Sequence, residues 1–314
     1  MYQEINELVK QYNTIIIHRH SNPDMDAIGS QMGLYYLIKE NFKDKSVYVV
    51  GDLNKYVIEP MDIIEDSIYA GALVIILDVA VSHLVSDERY KLADKVLVID
   101  HHQNDCDITN EHVYMDISYS ACTEYLTDIF RSLNYQFNEK VANYFYAGII
   151  TDTGRFQWMK DPAKLFNIAG FLTENGANPT EIYNSLYVES LESRQMKTYF
   201  QSRYRFEDGI GIMRNDKSVY AVYDVDTFTI SRGMVNLASG IDEIKIWLNF
   251  TEDKETPNII GEFRSRGIPI VEVAKKYGGG GHLNACGATL KNWEEVELII
   301  NDYKMLLKEY NNGN

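Results

Sequence analysis

Three short apolar runs in the first half of the chain, each followed by acidic or imidazole side chains, constrain the fold most. Residues 14–17, 72–77 and 96–99 read TIII, ALVIIL and VLVI. Short, uninterrupted apolar runs are typical of strands that are buried on both faces of a parallel sheet. Helical patterns alternate with these runs, so the sequence predicts an α/β domain with a mostly parallel sheet flanked by helices.

The residues that follow these runs are of metal-ligating types. They are His20, Asp24 and Asp26 after the first run, Asp78 after the second, and Asp100, His101 and His102 after the third. Parallel strands present their carboxyl ends at one edge of a sheet, so we expect these segments to converge there. An Asp after a strand is often a helix N-cap, which could explain Asp78 or Asp100 alone but not the whole set. A fourth segment, GIITDTGR at 148–155, adds Asp152.

Length and composition indicate an enzyme of two domains. A chain of 314 residues exceeds what one hydrophobic core usually covers. The N-terminus has no basic start or apolar core of a signal peptide, and no apolar run approaches the roughly 20 residues of a membrane span. We therefore expect a cytoplasmic protein without membrane contact. The three cysteines are too few and too scattered for a disulfide framework or a zinc site.

The charge distribution favours short substrates over long nucleic acids. The formal net charge is −16, although the stretch 260–291 carries five Lys or Arg against two Glu. Proteins that bind long polynucleotides neutralise many phosphates with Lys and Arg, and this chain has no such stripe. Long duplex nucleic acid is therefore not an expected partner.

A second group of candidate residues lies in the second half, where four glycines follow a predicted helix. Consecutive glycines allow backbone N–H groups to approach a phosphate, although a flexible loop explains them equally well. An Arg fork at the end of a predicted strand can hold a phosphate through two hydrogen bonds. The predicted substrate-binding residues of this group are Arg264, Ser265, Arg266, Gly279, Gly280, Gly281 and His282. Arg155, close to Asp152 in the first half, is a further candidate, although a surface role explains it nearly as well.

The remaining patterns predict the order of elements. Strands are expected at 14–19, 46–50, 72–78 and 95–100, and helices at 27–41, 123–133, 139–150 and 162–174. A helix at 191–206 is the expected connector. Strands at 210–214 and 218–223 are expected to pair as a hairpin, and strands at 244–251 and 258–264 as a second one. Helices are expected at 271–277 and 293–310. We therefore predict a first domain at 1–185, a helical connector at 186–208 and a smaller α+β domain at 209–314.

These motifs together resemble the DHH phosphoesterase superfamily, which takes its name from the triplet found here at residues 100–102. The first motif is matched by His20, Pro23, Asp24, Asp26, Ala27, Gly29 and Ser30, the second by Asp78, and the fourth by residues 151–154. Residues 264–267 and 278–282 resemble the DHH-associated domain of the same proteins. Within the superfamily, the chain is most similar to the group of nanoRNases (oligoribonucleases) and pAp phosphatases.

The resemblance implies how a metal centre is built. It places His20, Asp24 and Asp78 on a first metal ion, and Asp26, Asp78, His101 and Asp152 on a second. Asp78 would bridge the two ions, and a hydroxide shared between them would attack phosphorus. Imidazole with several carboxylates and no thiolate suits Mn²⁺, so two divalent ions, with manganese favoured, are the expected cofactors. His102 is expected to orient the substrate or protonate the leaving group, although it could instead orient His101.

The resemblance also implies the reaction. The first domain would hydrolyse, and the second would hold the nucleotide across a cleft. The expected substrates are pAp, which would yield AMP, and oligoribonucleotides a few residues long, including pApA. Alternatives are a manganese-dependent inorganic pyrophosphatase, a cyclic-dinucleotide phosphodiesterase and, from another class, a catalytically inactive nucleotide-binding regulator. The sequence leaves open the preferred substrate, the direction of attack and the oligomeric state, a homodimer included.

Overall fold

The computed structural model describes residues 2–54, 59–109 and 111–313, and the chain divides into two compact units. The first unit ends at Val188 and the second begins at Glu189. Each unit has its own sheet and its own buried core. The finer boundaries at 185 and 208 stay a prediction.

The first unit is built on a parallel sheet, as the apolar runs predict. Its strands are β1 (Thr14–Arg19), β2 (Ser46–Val49), β3 (Leu73–Leu77), β4 (Lys95–Asp100) and β5 (Val113–Met115). Their order across the sheet is β2-β1-β3-β4-β5, and all neighbouring pairs are parallel. The prediction of an α/β fold is therefore confirmed, and β1, β3 and β4 lie side by side at its centre.

The two faces of this sheet are covered differently. The helices are α1 (Gln3–Gln11), α2 (Met25–Asn41), α3 (Cys122–Ser132), α4 (Glu139–Asp152), α5 (Pro162–Glu174) and α6 (Pro179–Tyr187). All six contribute to one core, together with Ile15 and Ile17 of β1. Ile16 faces the opposite core, which is covered by loops and short 3-10 turns. Successive strand residues thus enter different cores, which is why the runs are apolar without interruption.

Close packing of α2 against α4 fixes the relative position of their ends. A Cβ on Gly29 would lie 2.5 Å from the Tyr144 carbonyl oxygen, and one on Gly33 would lie 2.3 Å from the Phe145 ring. Only glycine at these positions lets the two helices approach so closely. As a result the start of α2 and the end of α4, which both carry predicted metal ligands, are held in fixed positions.

The second unit contains a mixed six-stranded sheet. Its elements in chain order are α7 (Leu191–Ser202), β6 (Arg205–Glu207), β7 (Ile210–Asn215), α8 (Thr227–Met234), β8 (Ile246–Glu252), β9 (Ile259–Ser265), α9 (Val271–Lys276), β10 (Gly280–His282), β11 (Ala285–Leu290) and α10 (Trp293–Gly313). The sheet order is β10-β11-β9-β8-β7-β6, in which only β7 and β8 are parallel. One face packs on α9 and α10 and the other on α7 and α8.

Three details of the second unit differ from the predictions. The segment predicted as a strand at 218–223 forms a 3-10 turn at Lys217–Ala221, because the Asp216 side chain accepts the Ser218 N–H at 2.9 Å and turns the chain. β7 therefore pairs with β8 on one side, and its antiparallel partner is β6 rather than the predicted strand at 218–223. The helix predicted at 191–206 ends at Ser202. The glycine run does not form a plain loop, since Gly280 and Gly281 belong to β10.

Among the described residues, no helix combines the length and the apolar character that crossing a membrane requires.

Candidate metal centre

The first group of candidate ligands lies where β1 and β3 end. The Nε2 atom of His20 lies 3.9 Å from Asp24 Oδ1 and 3.6 Å from Asp78 Oδ2. Asp24 is also the N-cap of α2, because its Oδ1 accepts the N–H groups of Asp26 and Ala27. These three side chains lie close enough together to hold one cation.

The second group lies beside the first and draws on three other elements. His101, directly after β4, places its Nε2 atom 3.7 Å from Asp26 Oδ2 on α2 and 3.5 Å from Asp152 Oδ2 at the end of α4. These ligand atoms also lie within reach of one cation. The six predicted metal ligands therefore come together from the ends of strands and helices that are far apart in the sequence.

Asp78 joins the two groups. Its Oδ2 faces His20, and its Oδ1 lies 3.4 Å from His101 Nε2. The residue is 2% exposed and has a φ of +60°, which Asp adopts more readily than most residues. Both Asp78 Oδ1 and His101 Nε2 are buried and have no hydrogen-bond partner among the described residues. Buried polar atoms are rarely left unpaired, and the donor atoms of this pair are of the kind that ligate a cation.

The carboxylate of Asp26 is held by the start of α3. Its Oδ2 accepts the Cys122 N–H at 2.6 Å, and its Oδ1 accepts the Thr123 N–H at 3.1 Å and the Thr123 hydroxyl at 2.5 Å. Helix N-termini offer unpaired N–H groups that favour a negative charge. These contacts orient the carboxylate toward His101.

A buried arginine stabilises the loop that carries His20 and Asp24. Arg19 donates from Nε to Gln31 Oε1 at 2.8 Å and from Nη1 to Asp52 Oδ1 at 3.2 Å. Asp52 in turn accepts the Asn22 N–H at 2.8 Å. The sequence analysis assigned no role to Arg19, Gln31 or Asp52, because their contacts depend on the fold.

His102 is oriented by Asp100, and the Nδ1 atom of His101 faces the Tyr119 carbonyl at 3.4 Å rather than His102. Its Nδ1 lies 2.8 Å from Asp100 Oδ1, and the same oxygen accepts the N–H groups of both histidines. Asp100 therefore fixes the orientation of the His102 ring through Nδ1, so that Nε2 is the ring nitrogen available to contact a substrate. Its hydrogen bond also raises the pKa of His102, which favours the protonated imidazole.

The crowded carboxylates shift the protonation of the metal-free centre. Burial by itself lowers the pKa of His20, but its contacts with Asp24 and Asp78 outweigh this and raise the pKa to about 10. Burial likewise opposes the charge on His101, whose pKa is nevertheless raised to about 10 by Asp78 and Asp26. Burial raises the pKa of Asp152 to about 6. Burial and the neighbouring carboxylates also raise the pKa of Asp26 well above its usual range.

These shifts predict how stability depends on pH when the metal is removed. The folded protein binds protons on His20 and His101 more tightly than the unfolded chain, so the stabilisation is complete below pH 6.5 and is lost as the pH rises through about 10. In EDTA, the melting temperature should fall by at least about 5 °C between pH 6.5 and 9. Because cations replace these protons, added Mn²⁺ should remove most of that decrease. Calorimetry at both pH values, with and without Mn²⁺, measures the difference, and equal slopes would contradict the prediction.

Thr123 positions the predicted metal ligand Asp26, and the sequence analysis assigned it no role. Replacing Thr123 with valine removes the hydroxyl donor to Asp26 and keeps the shape of the side chain. Loss of a hydrogen bond to a metal ligand typically costs about 10–100-fold in metal affinity, and we expect a decrease of that size. Titration calorimetry with Mn²⁺ checks it. Thr127→Val is the matched control, because this buried hydroxyl donates to the Thr123 carbonyl and not to Asp26.

The loop after Asp152 has an unusual backbone. Gly154, Arg155 and Phe156 have φ values of 56°, 63° and 63°. Left-handed conformations cost non-glycine residues roughly 1–2 kcal/mol each, and such strain is concentrated at functional sites. Arg155, a predicted substrate-binding residue, is exposed, and its guanidinium carbon lies 5.2 Å from the centroid of the Tyr187 ring.

In the second unit, two of the predicted substrate-binding residues lie in one row of the sheet. His282 of β10 pairs with Ala285 of β11, which pairs with Arg264 of β9. Directly paired residues project from the same face, and two strand spacings amount to about 10 Å. Arg264 and His282, eighteen positions apart in the chain, therefore flank Ala285 on a common face.

Three residues of this set, Arg264 included, are engaged in local contacts. Arg264 donates from Nη1 to the Phe263 carbonyl at 2.8 Å and to Glu262 at 3.1 Å. The Arg266 Nη2 atom donates to the carbonyls of Ile241, Asp242 and Ile244. The Ser265 hydroxyl donates to the Ile268 carbonyl at 2.5 Å. These contacts stabilise the strand ends and occupy part of the hydrogen-bonding capacity predicted for substrate.

Two of the glycines are required by strand pairing. A Cβ on Gly279 would lie 2.0 Å from the Gly287 carbonyl oxygen, and one on Gly281 would lie 2.6 Å from that of Ala285. Gly280 faces open space instead. Gly278, Gly279 and Gly280 line a cavity of about 330 Å³ at this edge of the sheet.

The fold and the carboxylate–imidazole cluster define the class of protein, which is a metal-dependent phosphoesterase. Residues 14–149 match the model of the DHH family N-terminal domain, and residues 215–309 match the DHHA1 domain. The chain belongs to the DHH family.

Relatives over the whole length support this assignment. A protein of Bacillus subtilis named bifunctional oligoribonuclease and PAP phosphatase NrnA is 32% identical, over 99% of this chain and 100% of that protein. A Mycoplasma pneumoniae protein of the same name is 31% identical, over 94% of this chain and 93% of that protein. An exopolyphosphatase-related protein from Bacteroides fragilis is 23% identical in sequence, and its crystal structure superposes on this one with a TM-score of 0.84. The match covers 98% of this chain and 97% of that chain, which shows a shared fold.

Proposed function

We propose that this phosphoesterase cleaves short oligoribonucleotides, including pApA, to mononucleotides and removes the 3'-phosphate of pAp to give AMP. The names of the relatives from Bacillus subtilis and Mycoplasma pneumoniae support these two activities. The acidic charge of the chain favours small substrates over long duplexes. A preference for short single strands is therefore part of the proposal.

The observation that carries the proposal is the position of Asp78 between two ligand groups. Each of its oxygens faces a different histidine, at 3.6 Å and 3.4 Å. A shared carboxylate of this kind suits two cations held close together, with His20 and Asp24 on one side and Asp26, His101 and Asp152 on the other. Histidine together with carboxylate ligands favours Mn²⁺ over Mg²⁺.

The side chains around this centre have separate roles. Two divalent cations held by these residues would supply a water of lowered pKa and charge that neutralises the phosphoryl oxygens. Hydrogen bonds from the start of α3 hold the Asp26 carboxylate in place, and the end of α4 positions Asp152. His102, whose pKa is raised by Asp100, holds a proton at Nε2 that can stabilise the phosphate or pass to the leaving oxygen. Arg264 and His282 in the second unit, with Arg155 in the first, are proposed to bind the nucleotide.

Product analysis tests the proposal. The purified protein is incubated with Mn²⁺ and, separately, with pAp, pApA, a five-residue RNA, cyclic-di-AMP and pyrophosphate, each with an EDTA control. Release of AMP from pAp and the linear oligonucleotides, lost in EDTA, is the expected result. Phosphate from pyrophosphate alone would identify a pyrophosphatase, and pApA or AMP from cyclic-di-AMP alone would identify a cyclic-dinucleotide phosphodiesterase. Nucleotide binding without turnover would identify a regulator.

A further inference from the structure

The loop after Asp152 is anchored from inside and presents one large aromatic side chain to solvent. Thr153 is fully buried, and its carbonyl accepts the N–H groups of Gln157 and Trp158, both at 2.9 Å. Phe156 points inward and stacks on Phe166 at 5.5 Å between ring centroids. The loop is therefore held rigidly, while the Trp158 side chain is 71% exposed.

The Trp158 ring packs against Gly154. A Cβ at Gly154 would lie 2.2 Å from Cζ3 and 2.4 Å from Cε3 of Trp158, so the six-membered ring of the indole lies directly against the glycine. Gly154 is two residues from the metal-ligand candidate Asp152, and exposed Arg155 is the next residue. The indole thus rests on a residue two positions after Asp152, and the guanidinium of Arg155 belongs to the next residue.

We propose that Trp158 is a stacking platform for a nucleobase of the substrate, a role that rests on the proposed function. The other two tryptophans are more buried, and tryptophan is rarely left so exposed without a partner. Stacking on an indole accepts any base, which suits an enzyme that acts on short oligonucleotides of varied sequence. The rigid loop holds the ring in place before substrate arrives, so little ordering is needed on binding.

Tryptophan fluorescence tests the stacking directly and does not require turnover. The full-length protein is titrated with AMP in Mg²⁺, and in parallel with ribose 5-phosphate, which has the phosphate and sugar but no base. AMP should quench the emission, and ribose 5-phosphate should leave it unchanged. The quenching should disappear in Trp158→Phe and persist in Trp293→Phe, the matched control. A quench that persists in Trp158→Phe, or no AMP-specific quench in the wild type, overturns the inference.

Steady-state kinetics separates stacking from a structural role. Trp158→Ala should raise KM for pApA about 10–100-fold and leave kcat within about twofold, because stacking contributes to binding. Trp158→Phe, which keeps a ring, should restore most of the affinity. Phe228→Ala removes another exposed aromatic, on α8, and should leave KM unchanged.

The outcomes distinguish this inference from the proposed function. Turnover of pApA with the same KM in wild type and Trp158→Ala would overturn the stacking role alone. A kcat loss that Trp158→Phe does not restore would also overturn it, because it would indicate a structural role. No turnover of any nucleotide would reject the proposed function, while the AMP titration would still decide whether Trp158 contacts a base.

Discussion

Replacing Asp78 with asparagine is expected to lower turnover by at least about 10³-fold and to leave the protein folded. Asp78 faces both ligand groups, with Oδ2 toward His20 and Oδ1 toward His101, so its loss affects both sides of the centre. Asparagine keeps the shape of the side chain but removes the charge that a cation pair needs. Mn²⁺ affinity, measured by titration calorimetry, should fall together with the turnover of pAp and pApA.

Asparagine is a better test than alanine because of the backbone at this position. With φ at +60°, Asp78 lies in the left-handed region, where asparagine is tolerated and alanine is strained. Burial and repulsion from Asp78 raise the pKa of Asp26. Asparagine relieves this repulsion but removes a charged partner of His20 and His101, so the two effects oppose each other and the metal-free variant should remain folded. An inactive and stable Asp78→Asn variant would thus separate catalysis from folding.

A control shows whether the effect is specific to the centre. Asp107→Asn removes a carboxylate that accepts from Ser82 in the same unit, outside the ligand cluster. It should retain turnover and Mn²⁺ affinity. Wild-type activity in Asp78→Asn would show that the shared-carboxylate assignment is wrong.

The parts of the fold and site that could be predicted depend on local signals. The runs at 15–17, 73–77 and 96–99 within the three central strands are apolar at every position, because both faces of the sheet are covered. The His and Asp residues that follow them are of types that ligate metals, and the carboxyl ends of parallel strands always meet at one edge. Neither inference requires knowledge of distant contacts.

The remaining features depend on contacts between distant parts of the chain. The donors to Asp26 lie 96 and 97 residues further on, at Cys122 and Thr123, and no local pattern links them. The pairing that brings Arg264 and His282 into one row depends on strand register, which sequence specifies weakly at a Gly-rich edge. The exposure of Trp158 depends on how the loop after Asp152 folds over Gly154, which no local sequence pattern indicates.

Replacing Gly148 with alanine is the second change for which we expect a large effect. A Cβ at Gly148 would lie 2.5 Å from Thr123 Cγ2, 2.6 Å from Thr123 Oγ1 and 2.7 Å from Asp26 Oδ1. The residue lies on α4 one turn before Asp152. At this point the helix contacts Asp26, whose carboxylate accepts three hydrogen bonds from Cys122 and Thr123. Relief of the clash must move α4 or displace both Thr123 and Asp26.

The expected result has two parts, loss of stability and loss of metal affinity. Alanine is the better helix former by about 1 kcal/mol, yet overpacking of a dense core typically costs about 1–3 kcal/mol, so the free energy of unfolding should decrease. Displacement of Asp26 should lower Mn²⁺ affinity by at least about 10–100-fold, the usual effect of disturbing a ligand's support. Chemical denaturation in EDTA and titration calorimetry measure the two parts separately.

Gly170→Ala provides the matched control for this prediction. Gly170 lies within α5, and a Cβ there would meet no atom within 4 Å. The same substitution should therefore stabilise the protein by up to about 1 kcal/mol, through helix propensity alone, and leave Mn²⁺ affinity unchanged. If Gly148→Ala behaved like Gly170→Ala, Asp26 would tolerate displacement, and its position against α3 and α4 would not limit metal binding.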